Sequence, residues 1–568
     1  MKKTLGRLLA LKAATGPESQ GNMEKKFWMI AAALAATVVF CPFVFDPFQA
    51  PKSVAMLIVA LGLLLRPGSA APSLTEVSFG VLFWLLASLK TMDRSQTIIG
   101  QQLAPFDGYT AMSIYLGLFV GMARLEVMRE EAAEVVAAVS IPVSLYAILQ
   151  KIGADPFHQF LPTGRVTSTM GSPVYLGAVL AIMAVCASMV TQKRKVLGLS
   201  SFFLCLLAMW LTQTRGALLA AIVGMVVATP GMVPPATLLC LMIGSLHPRA
   251  FSAVADSGRL ETWKIAGRMF RDNPLFGVGP GAFDIAFRKY IGEGFVSTYG
   301  NVELQQFHAH NGLLQVLSTS GLIGLAGFSL IWMYMIKEAR KCRILAGVLA
   351  AYATASFFNP MPHSATALVA IMLGAGATIE ARNWRRPWQI IVMVGMALFI
   401  CARIFVGDFY RAQAIGNRSY QKGLWALEMG RWLNPWEERM SALHIDAILT
   451  LVEQVIPEDR GKVAAISLKL AALDAKRHPN DPLAMEVLGK AYWIAYQLKV
   501  VANPERTLDF YRKGQELAPT WVPLMEKRAA TAYFLGQRNE YVKALGERHK
   551  TLTWAQAREK KEKLWASK

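Results

Sequence analysis

The sequence has few charged residues and lacks several patterns that soluble enzymes use for their chemistry. Only 17% of its 568 residues are charged, and its six cysteines are scattered, with no Cys-x-x-Cys pair among them. Neither a disulfide framework nor a metal site is therefore indicated. No Asp-x-Asp motif occurs in the chain, which removes the usual metal-carboxylate contact with a nucleotide sugar.

Apolar sequence, in contrast, is abundant. Hydrophobic residues make up 54% of the chain, and thirteen apolar segments recur between residues 27 and 406. Several of them are close to the minimum of about 17 residues that a membrane-spanning helix needs. These features predict an all-α, polytopic membrane protein with about 12–13 transmembrane helices. The segments are centred near residues 36, 59, 84, 116, 141, 181, 203, 222, 240, 323, 350, 371 and 397.

The net charge of +21 is distributed unevenly, because basic residues cluster in alternate loops. The positive-inside rule makes that side of the membrane cytoplasmic. It predicts a multi-pass protein of the bacterial inner membrane with a cytoplasmic N-terminus, and it argues against nucleic acid as a partner. The clusters are Lys25–Lys26, Arg124 with Arg129, residues 192–195, residues 337–343 and residues 382–386.

The sequence divides into regions of different composition. Residues 1–26 are basic without a compact apolar stretch, which predicts a cytoplasmic leader rather than a signal peptide. Residues 27–406 form the predicted membrane body, and a polar loop at 247–311 interrupts it on the outward side. Residues 407–568 predict a soluble helical region that also faces outward, into the periplasm.

This C-terminal region is punctuated by prolines spaced 44 and 40 residues apart, with helical patterns between them. The arrangement resembles tetratricopeptide repeats, although its spacing exceeds the 34 residues of that family. An irregular helical bundle is the alternative. Helical repeats commonly bind other proteins, so a protein partner is expected for this region.

The outward loop is nearly balanced in charge, with seven Lys/Arg and six Asp/Glu residues. A helix is predicted to begin at Asp256 and to stop at Asn273–Pro274, and residues 277–281 are expected to form a tight turn. Because the loop is not a simple basic patch, any ligand binding there must rely on specific residues.

One candidate for chemistry is His310, at the mouth of a predicted membrane helix. It is followed by Asn311 and then by Gly321 and Gly324, whose spacing lets a neighbouring helix come close. An ionisable group at this depth is a functional hypothesis by default. The positive end of the helix dipole and nearby arginines should lower its pKa, so that it is neutral and able to act as a general base.

Two arginines are further candidates. Arg215 lies in a very short outward turn at residues 212–216, and Arg259 lies at the start of the loop helix. Their planar, permanently charged guanidinium groups suit phosphate oxygens and could hold a diphosphate without a metal. Each residue also has an ordinary interpretation: an interfacial anchor for Arg215, a solvated helix start for Arg259 and an interfacial histidine for His310.

Zinc binding by His308 and His310 is a separate hypothesis that the sequence does not favour. The two residues have the spacing of ligands on one strand face, but no third and fourth ligands are evident.

Four sequence blocks resemble the O-antigen ligase/polymerase superfamily. Residues 213–217 match its short arginine turn, and residues 257–263 with 273–279 match the start of its large periplasmic loop. His310-Asn311, followed after nine residues by Gly321 and Gly324, matches the histidine motif of the ligases, while residues 165–175 form a weaker match. The resemblance covers about residues 160–380.

The resemblance implies a metal-independent, inverting glycosyl transfer that needs no cofactor, in a helical fold of the lipid-dependent glycosyltransferase type. A glycan would move from undecaprenyl diphosphate to an acceptor hydroxyl at the periplasmic face. It implies catalytic roles for His310, Arg215 and Arg259. The two arginines would bind the diphosphate of the donor, and Arg165 and Arg288 would be lesser donor contacts.

The acceptor is less defined than the donor. Lipid A–core is the leading expectation, which makes the chain an O-antigen ligase. The C-terminal region departs from plain ligases, and a polymerase of O-antigen or exopolysaccharide and an O-linked protein oligosaccharyltransferase are alternatives. A glycolipid flippase or transporter is an alternative of another class, as is a scaffold, and all of them would contact membrane lipids.

Overall fold

Helices form almost all of the structure, which is a computed structural model. It describes residues 17–566 except 45, 67–70, 73, 100–107, 158–163, 230–252, 301–305, 360–361, 378, 382–386, 417–419, 436–437 and 453–456.

The helices fall into three groups. Those of the membrane body before the outward loop are α1 (Pro17–Thr37), α2 (Gln49–Leu65), α3 (Thr75–Ala87), α4 (Arg94–Ile99), α5 (Tyr109–Ala123), α6 (Arg129–Lys151), α7 (Pro173–Val190), α8 (Lys195–Thr212) and α9 (Arg215–Ala228). The loop contains α10 (Ala253–Asp272), α11 (Phe283–Tyr290) and α12 (Glu293–Tyr299). The rest are α13 (Gly312–Ala339), α14 (Arg343–Phe358), α15 (His363–Gly374), α16 (Trp388–Gly416), α17 (Tyr420–Leu433), α18 (Glu438–Leu451), α19 (Pro457–Arg477), α20 (Pro482–Gln497), α21 (Glu505–Leu517), α22 (Val522–Phe534) and α23 (Arg538–Ala566).

A short antiparallel pair is the exception to this helical architecture. Strand β1 (Ala71–Pro72) pairs with β2 (Ile379–Ala381), with Ala71 opposite Ala381. The pair joins two loops and leaves the fold class all-α, as the sequence predicts.

Twelve of the thirteen predicted apolar segments lie in helices, and the one centred near residue 240 lies outside the described residues. Five of the described helices are long and apolar enough to cross a membrane, and five shorter ones are also apolar. The chain is therefore an all-α, polytopic membrane protein. The long helices are α6, α7, α8, α13 and α16, and the shorter ones are α2, α5, α9, α14 and α15.

Helix α7 forms the centre of the membrane body. Pro173 occupies its first turn, where a missing N–H costs nothing. Apolar residues then cover every face of the helix, and all residues from Leu176 to Ser188 are buried. A helix that is apolar all round belongs in a core, and α7 packs against α6, α8, α9 and α14.

Helix α13 is broken at Gly321, whose φ of 63° and ψ of −158° are not helical. The loop segment 274–279 fills the break and makes four backbone hydrogen bonds of 2.8–3.1 Å with residues 318–323. A β-carbon on Gly321 would lie 2.4 Å from the Leu275 carbonyl oxygen. The segment that comes close to Gly321 is therefore a loop rather than the expected helix, whereas Gly324 and Gly327 face helix α3.

One end of the membrane body carries a group of charged residues. Arg129, at the start of α6, makes a buried 2.7 Å ion pair with Glu338, at the end of α13. Lys25 donates to the Glu126 carbonyl nearby. Because α13 begins two residues after His310, these charged groups lie at the end of the body opposite to His310.

The loop helices form a small core of their own. Helix α10 begins three residues earlier than predicted and stops at Asp272, directly before the predicted Asn273–Pro274 stop. Buried apolar side chains from α10, α11 and α12 pack together, and Ala309, next to His310, belongs to the same cluster. Its members include Ile265, Met269, Phe283, Phe287 and Phe295.

The membrane body and the C-terminal region meet without a break, because α16 runs continuously to Gly416. The predicted boundary between residues 406 and 407 thus falls inside a helix. Beyond it, successive helices pack side by side, notably α19 with α20, α20 with α21 and α22 with α23. This arrangement supports helical repeats, although membership of the tetratricopeptide family stays a prediction.

Candidate functional site

His310 occupies a turn that presents its side chain at the start of α13. Its φ of 53° lies in the left-handed region, which is uncommon outside glycine. Asn311 is the N-cap of the helix: its side chain accepts a 2.9 Å hydrogen bond from Leu314 N and donates one of 3.0 Å to the Phe357 carbonyl. Asn311 therefore fixes the backbone from which His310 projects.

Both ring nitrogens of His310 have amide partners. Nδ1 lies 2.9 Å from Oδ1 of Asn359, and Nε2 lies 3.0 Å from the side-chain oxygen of Gln306. A neutral imidazole has one N–H, so one amide must turn its NH₂ group toward the ring. When Nδ1–H donates to Asn359, the lone pair of Nε2 points toward the Gln306 amide. A substrate hydroxyl would take the place of that amide.

The environment of His310 favours its neutral form. Burial is the main cause that lowers its pKa, to about 4, and the positive charge of Arg259 acts in the same direction. The hydrogen bond with Asn359 opposes both. The sequence predicts the direction of this pKa change and the contribution of an arginine, but it assigns the main cause to the helix dipole rather than to burial.

His308 lies beside His310 and is itself buried. The two rings meet edge to face with centroids 4.4 Å apart, and the backbone N–H of His310 donates to Nδ1 of His308 at 3.3 Å. Burial, His310 and Arg259 together hold the pKa of His308 well below its usual range. His308 is thus a neutral neighbour that supports the turn.

The structure brings Arg259 close to the histidines. Its charge adds to the effect of burial in lowering the pKa of His308 and His310, and it opposes the rise that burial causes in the pKa of Tyr299 on α12. Gly258, next to it, packs directly against the Tyr299 hydroxyl. Arg259 is therefore held at the base of α10, within electrostatic reach of His310.

Arg215 is the first residue of α9, and Arg165 braces the turn before it. The Arg165 guanidinium donates to the Thr212 carbonyl at 2.8 Å and to the Thr214 hydroxyl at 3.0 Å. Gln213 in this turn has a φ of 53°. These contacts indicate that Arg165 supports the turn that presents Arg215. The expectation that Arg165 contacts the donor stays a prediction.

Residues 357–359 at the end of α14, here called the α14 junction, join the separate sequence blocks. Asn311 bonds to the Phe357 carbonyl, and Trp263 of α10 packs edge to face on the Phe357 ring. Gly216 of α9 lies against Phe358. With Asn359 bound to His310, the blocks that carry Arg215, Arg259 and His310 converge on one short segment.

Arg288, a predicted lesser donor contact, is engaged by the C-terminal region. It forms a buried 2.9 Å ion pair with Asp481 in the C-terminal region, and its guanidinium lies 5.3 Å from the centre of the Trp521 ring. The loop sequence gives no sign of this partner almost two hundred residues away, and a donor contact by Arg288 stays a prediction.

A cavity of about 320 Å³ borders His310 and Asn359. Its opposite wall is formed by Asp46 and by the start of α7 at Tyr175. Asp46 accepts three backbone N–H bonds of 3.0–3.2 Å from the residues that open α2. Lys52, one turn into α2, is fully buried and donates to the Thr169 carbonyl.

These residues were not identified from the sequence. Lys52 carried one usable signal, since a lysine inside a predicted membrane helix is uncommon and often functional. Tyr175 ends the weakly matching block at residues 165–175, whereas Asn359 and Asp46 carried no signal, because their significance lies in contacts that join distant parts of the chain.

A second, more apolar cavity of about 250 Å³ opens between α3, α5, α13, α14 and α15. Gly312 and Ser356, which line one end of it, are close in sequence to His310 and Asn359. Trp84, Phe119 and Trp332 contribute apolar surface. The arrangement can accommodate a hydrocarbon chain beside the polar site.

Comparison with known proteins agrees with this geometry. A search of curated proteins finds no match to the chain. The family model for O-antigen ligase matches residues 169–329, which include Arg215, Arg259, His310 and the break in α13. Residues 169–329 of the chain are therefore similar to the O-antigen ligase family.

Proposed function

We propose that this protein transfers a glycan from undecaprenyl diphosphate to an acceptor hydroxyl, most directly as an O-antigen ligase with lipid A–core as acceptor. The observation that carries the proposal is the convergence of the Arg215, Arg259 and His310 blocks on the α14 junction. A neutral histidine whose segment meets those of two arginines suits a reaction that removes a proton and releases a diphosphate.

In the proposed reaction, Nε2 of His310 takes the proton of the acceptor hydroxyl after the hydroxyl displaces Gln306. The hydroxyl oxygen bonds to the anomeric carbon of the donor, and the bond from that carbon to the diphosphate oxygen breaks. Attack opposite the leaving group inverts the anomeric centre. Undecaprenyl diphosphate leaves with the electron pair, and Arg215 and Arg259 balance its charge.

A pKa of about 4 makes His310 a weak base in the free protein, but the donor changes its surroundings. The negative charges of a diphosphate raise the pKa of a neighbouring imidazole. Bound donor would therefore offset the effect of Arg259 and prepare His310 to accept a proton, so that the base becomes effective only in the complex.

The apolar cavity supports a lipid-linked donor. Its lining from α3, α5, α13 and α15 offers apolar surface next to the polar site, which fits the polyprenyl chain while the diphosphate lies near the arginines. The absence of an Asp-x-Asp motif from the sequence points the same way, because nucleotide-sugar donors usually need such a metal-carboxylate contact.

The proposed location is the bacterial inner membrane, with the site and the C-terminal region on the periplasmic side. The charged cluster around Arg129 and Glu338, at the opposite end of the body, supports this orientation through the positive-inside rule. A flippase would place its polar groups in a cavity at mid-membrane, whereas His310 lies before its helix begins.

The test is transfer by the purified full-length protein in detergent containing EDTA, with undecaprenyl-diphosphate glycan as donor and lipid A–core as acceptor. His310→Ala is compared with His549→Ala, which alters an exposed histidine of the C-terminal region. We expect lipopolysaccharide bands from the wild type and from His549→Ala only. Donor that is lengthened would identify a polymerase, and glycan on an added pilin-like protein would identify a protein transferase. Untouched donor in all three assays would refute the proposal.

A further inference from the structure

We infer that the C-terminal region is a clamp that positions the arginine-bearing loop over His310, and that Asp481 and Asn480 are positioning residues. The inference rests on the proposed function for its catalytic consequence only. The clamp is defined by residues 478–481 together with Trp521 and α23.

The first contact of the clamp is the ion pair between Asp481 and Arg288 on α11. Only 3% of the Arg288 side chain and none of the Asp481 side chain is exposed. The Asp481 carboxylate also caps α20, accepting hydrogen bonds from two backbone N–H groups. A buried charge left without its partner is strongly unfavourable, so α11 and α20 remain joined in the folded protein.

The second contact is made with the turn that follows α3. Nδ1 of His478 lies 3.2 Å from the Asp93 carboxylate, and both residues are buried. The Asn480 side-chain amide donates to the Met92 carbonyl at 2.7 Å. Met92 N donates in turn to the Val278 carbonyl at 2.9 Å, in the segment that fills the break in α13. A line of hydrogen bonds thus connects the clamp to the helix that follows His310.

The third contact places α12 between the clamp and the helix of Arg259. Helix α12 packs on α23 on one side and on α10 on the other. Its Tyr299 lies against Gly258, and its Gly294 lies against the Glu261 carboxylate, so that α12 contacts α10 both before and after Arg259 in the sequence. His310 is held by Asn359 and by the capping residue Asn311, so a shift of α10–α12 would move Arg259 relative to His310.

Such coupling matters for transfer because a misplacement of about 1 Å at a reacting centre can cost about a hundredfold in rate. The loop helices have only a small core of their own. Their contacts with the C-terminal region therefore determine how closely Arg259 approaches the donor.

The experiment compares the full-length wild type with Asp481→Asn, which keeps the cap oxygen but removes the charge, and with Asn480→Ala. The control is Asp509→Asn, which removes a 3.0 Å exposed ion pair with Arg512 in the same region. Amide hydrogen exchange of residues 258–299 is measured beside kcat and KM for transfer. Each variant is made in the wild-type and the Arg259→Lys background, because only a double-mutant cycle separates coupled from independent effects.

We expect faster exchange in residues 258–299 for both clamp variants, unchanged exchange in α6–α8, and no change for Asp509→Asn. In the wild-type background kcat should fall about tenfold with little change in KM, and the fall should be smaller when Arg259 is already lysine. Unchanged exchange in residues 258–299 would overturn the clamp, whatever the activity. Equal losses of kcat in both backgrounds would overturn its positioning role.

Two further results would not bear on the clamp directly: general unfolding of a variant, and a wild type without transfer activity. Faster exchange in α6–α8 would identify general unfolding by Asp481→Asn, and Asn480→Ala then decides the inference. A wild type that transfers no glycan would refute the proposed function, while the exchange of residues 258–299 would still decide whether the clamp orders the loop.

Discussion

Asn359 and His310 are joined by a 2.9 Å contact between Oδ1 and the ring Nδ1, although they are 49 residues apart. With the Asn359 oxygen as acceptor, Nδ1 of His310 carries the proton, and the Gln306 amide then turns its NH₂ group toward Nε2. The partner of the base is therefore an uncharged amide. It orients the ring without the large increase in pKa that a carboxylate would cause.

Replacing Asn359 should reveal this orienting role. In Asn359→Ala the ring is free to rotate, and we expect kcat to fall between about 10-fold and about 100-fold, part of the ~10²–10⁴-fold that a positioned base contributes. The fall should occur without a matching change in donor affinity. Steady-state kinetics and donor binding by the purified variant provide the measurement. Unchanged kcat would show that Asn311 and His308 suffice to hold the ring.

Asn359→Asp tests the electrostatic side of the same contact. A carboxylate beside Nδ1 favours the imidazolium, so the pKa of His310 should rise from about 4 toward or above its ordinary value near 6.5. Activity that depends on neutral His310 is lost as pH falls through that pKa. The acid limb of the profile of kcat/KM against pH should therefore move to higher pH, and an unmoved limb would contradict the assignment of His310 as the base.

The roles of Arg259 can be separated by two substitutions. Arg259→Lys keeps the charge but loses the planar pair of donors, and we expect transfer to fall by at least about tenfold. Arg259→Gln also removes the charge that lowers the pKa of His310, so its acid limb in kcat/KM should shift to higher pH, whereas that of Arg259→Lys should shift less. Arg268→Lys, farther along α10 and only partly buried, is the matched control. Wild-type rates in Arg259→Lys would remove the proposal that this residue binds the diphosphate.

Whether a feature could be predicted from the sequence depends on how far apart in the chain the residues that form it lie. The arginine turn, the loop helix and the histidine motif are local patterns, and the helix stop at Asn273–Pro274 depends on proline chemistry alone. Sequence identified these features correctly. The partner of Arg288 and that of His310 depend on how distant helices pack, and a single sequence does not contain that information.

The cause of the low pKa at His310 illustrates the same limit. The sequence places the histidine at a helix start, which makes the dipole the expected cause. Burial is larger, and it arises from segments such as the α14 junction that close over the ring. The sequence predicts the direction in which the pKa of His310 changes, whereas ranking the causes of that change requires the structure.

The break in α13 gives a prediction about stability. A side chain at position 321 would have to adopt a φ of 63°, and its β-carbon would lie 2.4 Å from the Leu275 carbonyl oxygen. Strain of this kind costs about 1–3 kcal/mol before the clash is relieved. Gly321→Ala should therefore lower the unfolding temperature and loosen segment 274–279. Gly395→Ala in α16, where no atom lies within 4 Å of the added carbon, is the control, and equal unfolding temperatures for the two variants would contradict the prediction.

Arg165 offers the sharpest distinction between support and binding. Its guanidinium donates to the Thr212 and Gln213 carbonyls and to the Thr214 hydroxyl, so it holds the turn before Arg215 with several bonds at once. A lysine cannot reproduce this planar set of donors. If Arg165 acts as a support, Arg165→Lys should lower kcat because Arg215 is misplaced, and its effect should largely vanish in an Arg215→Ala background. If Arg165 contacts the donor itself, the two losses should add, which kinetics on the two single variants and the double variant would show.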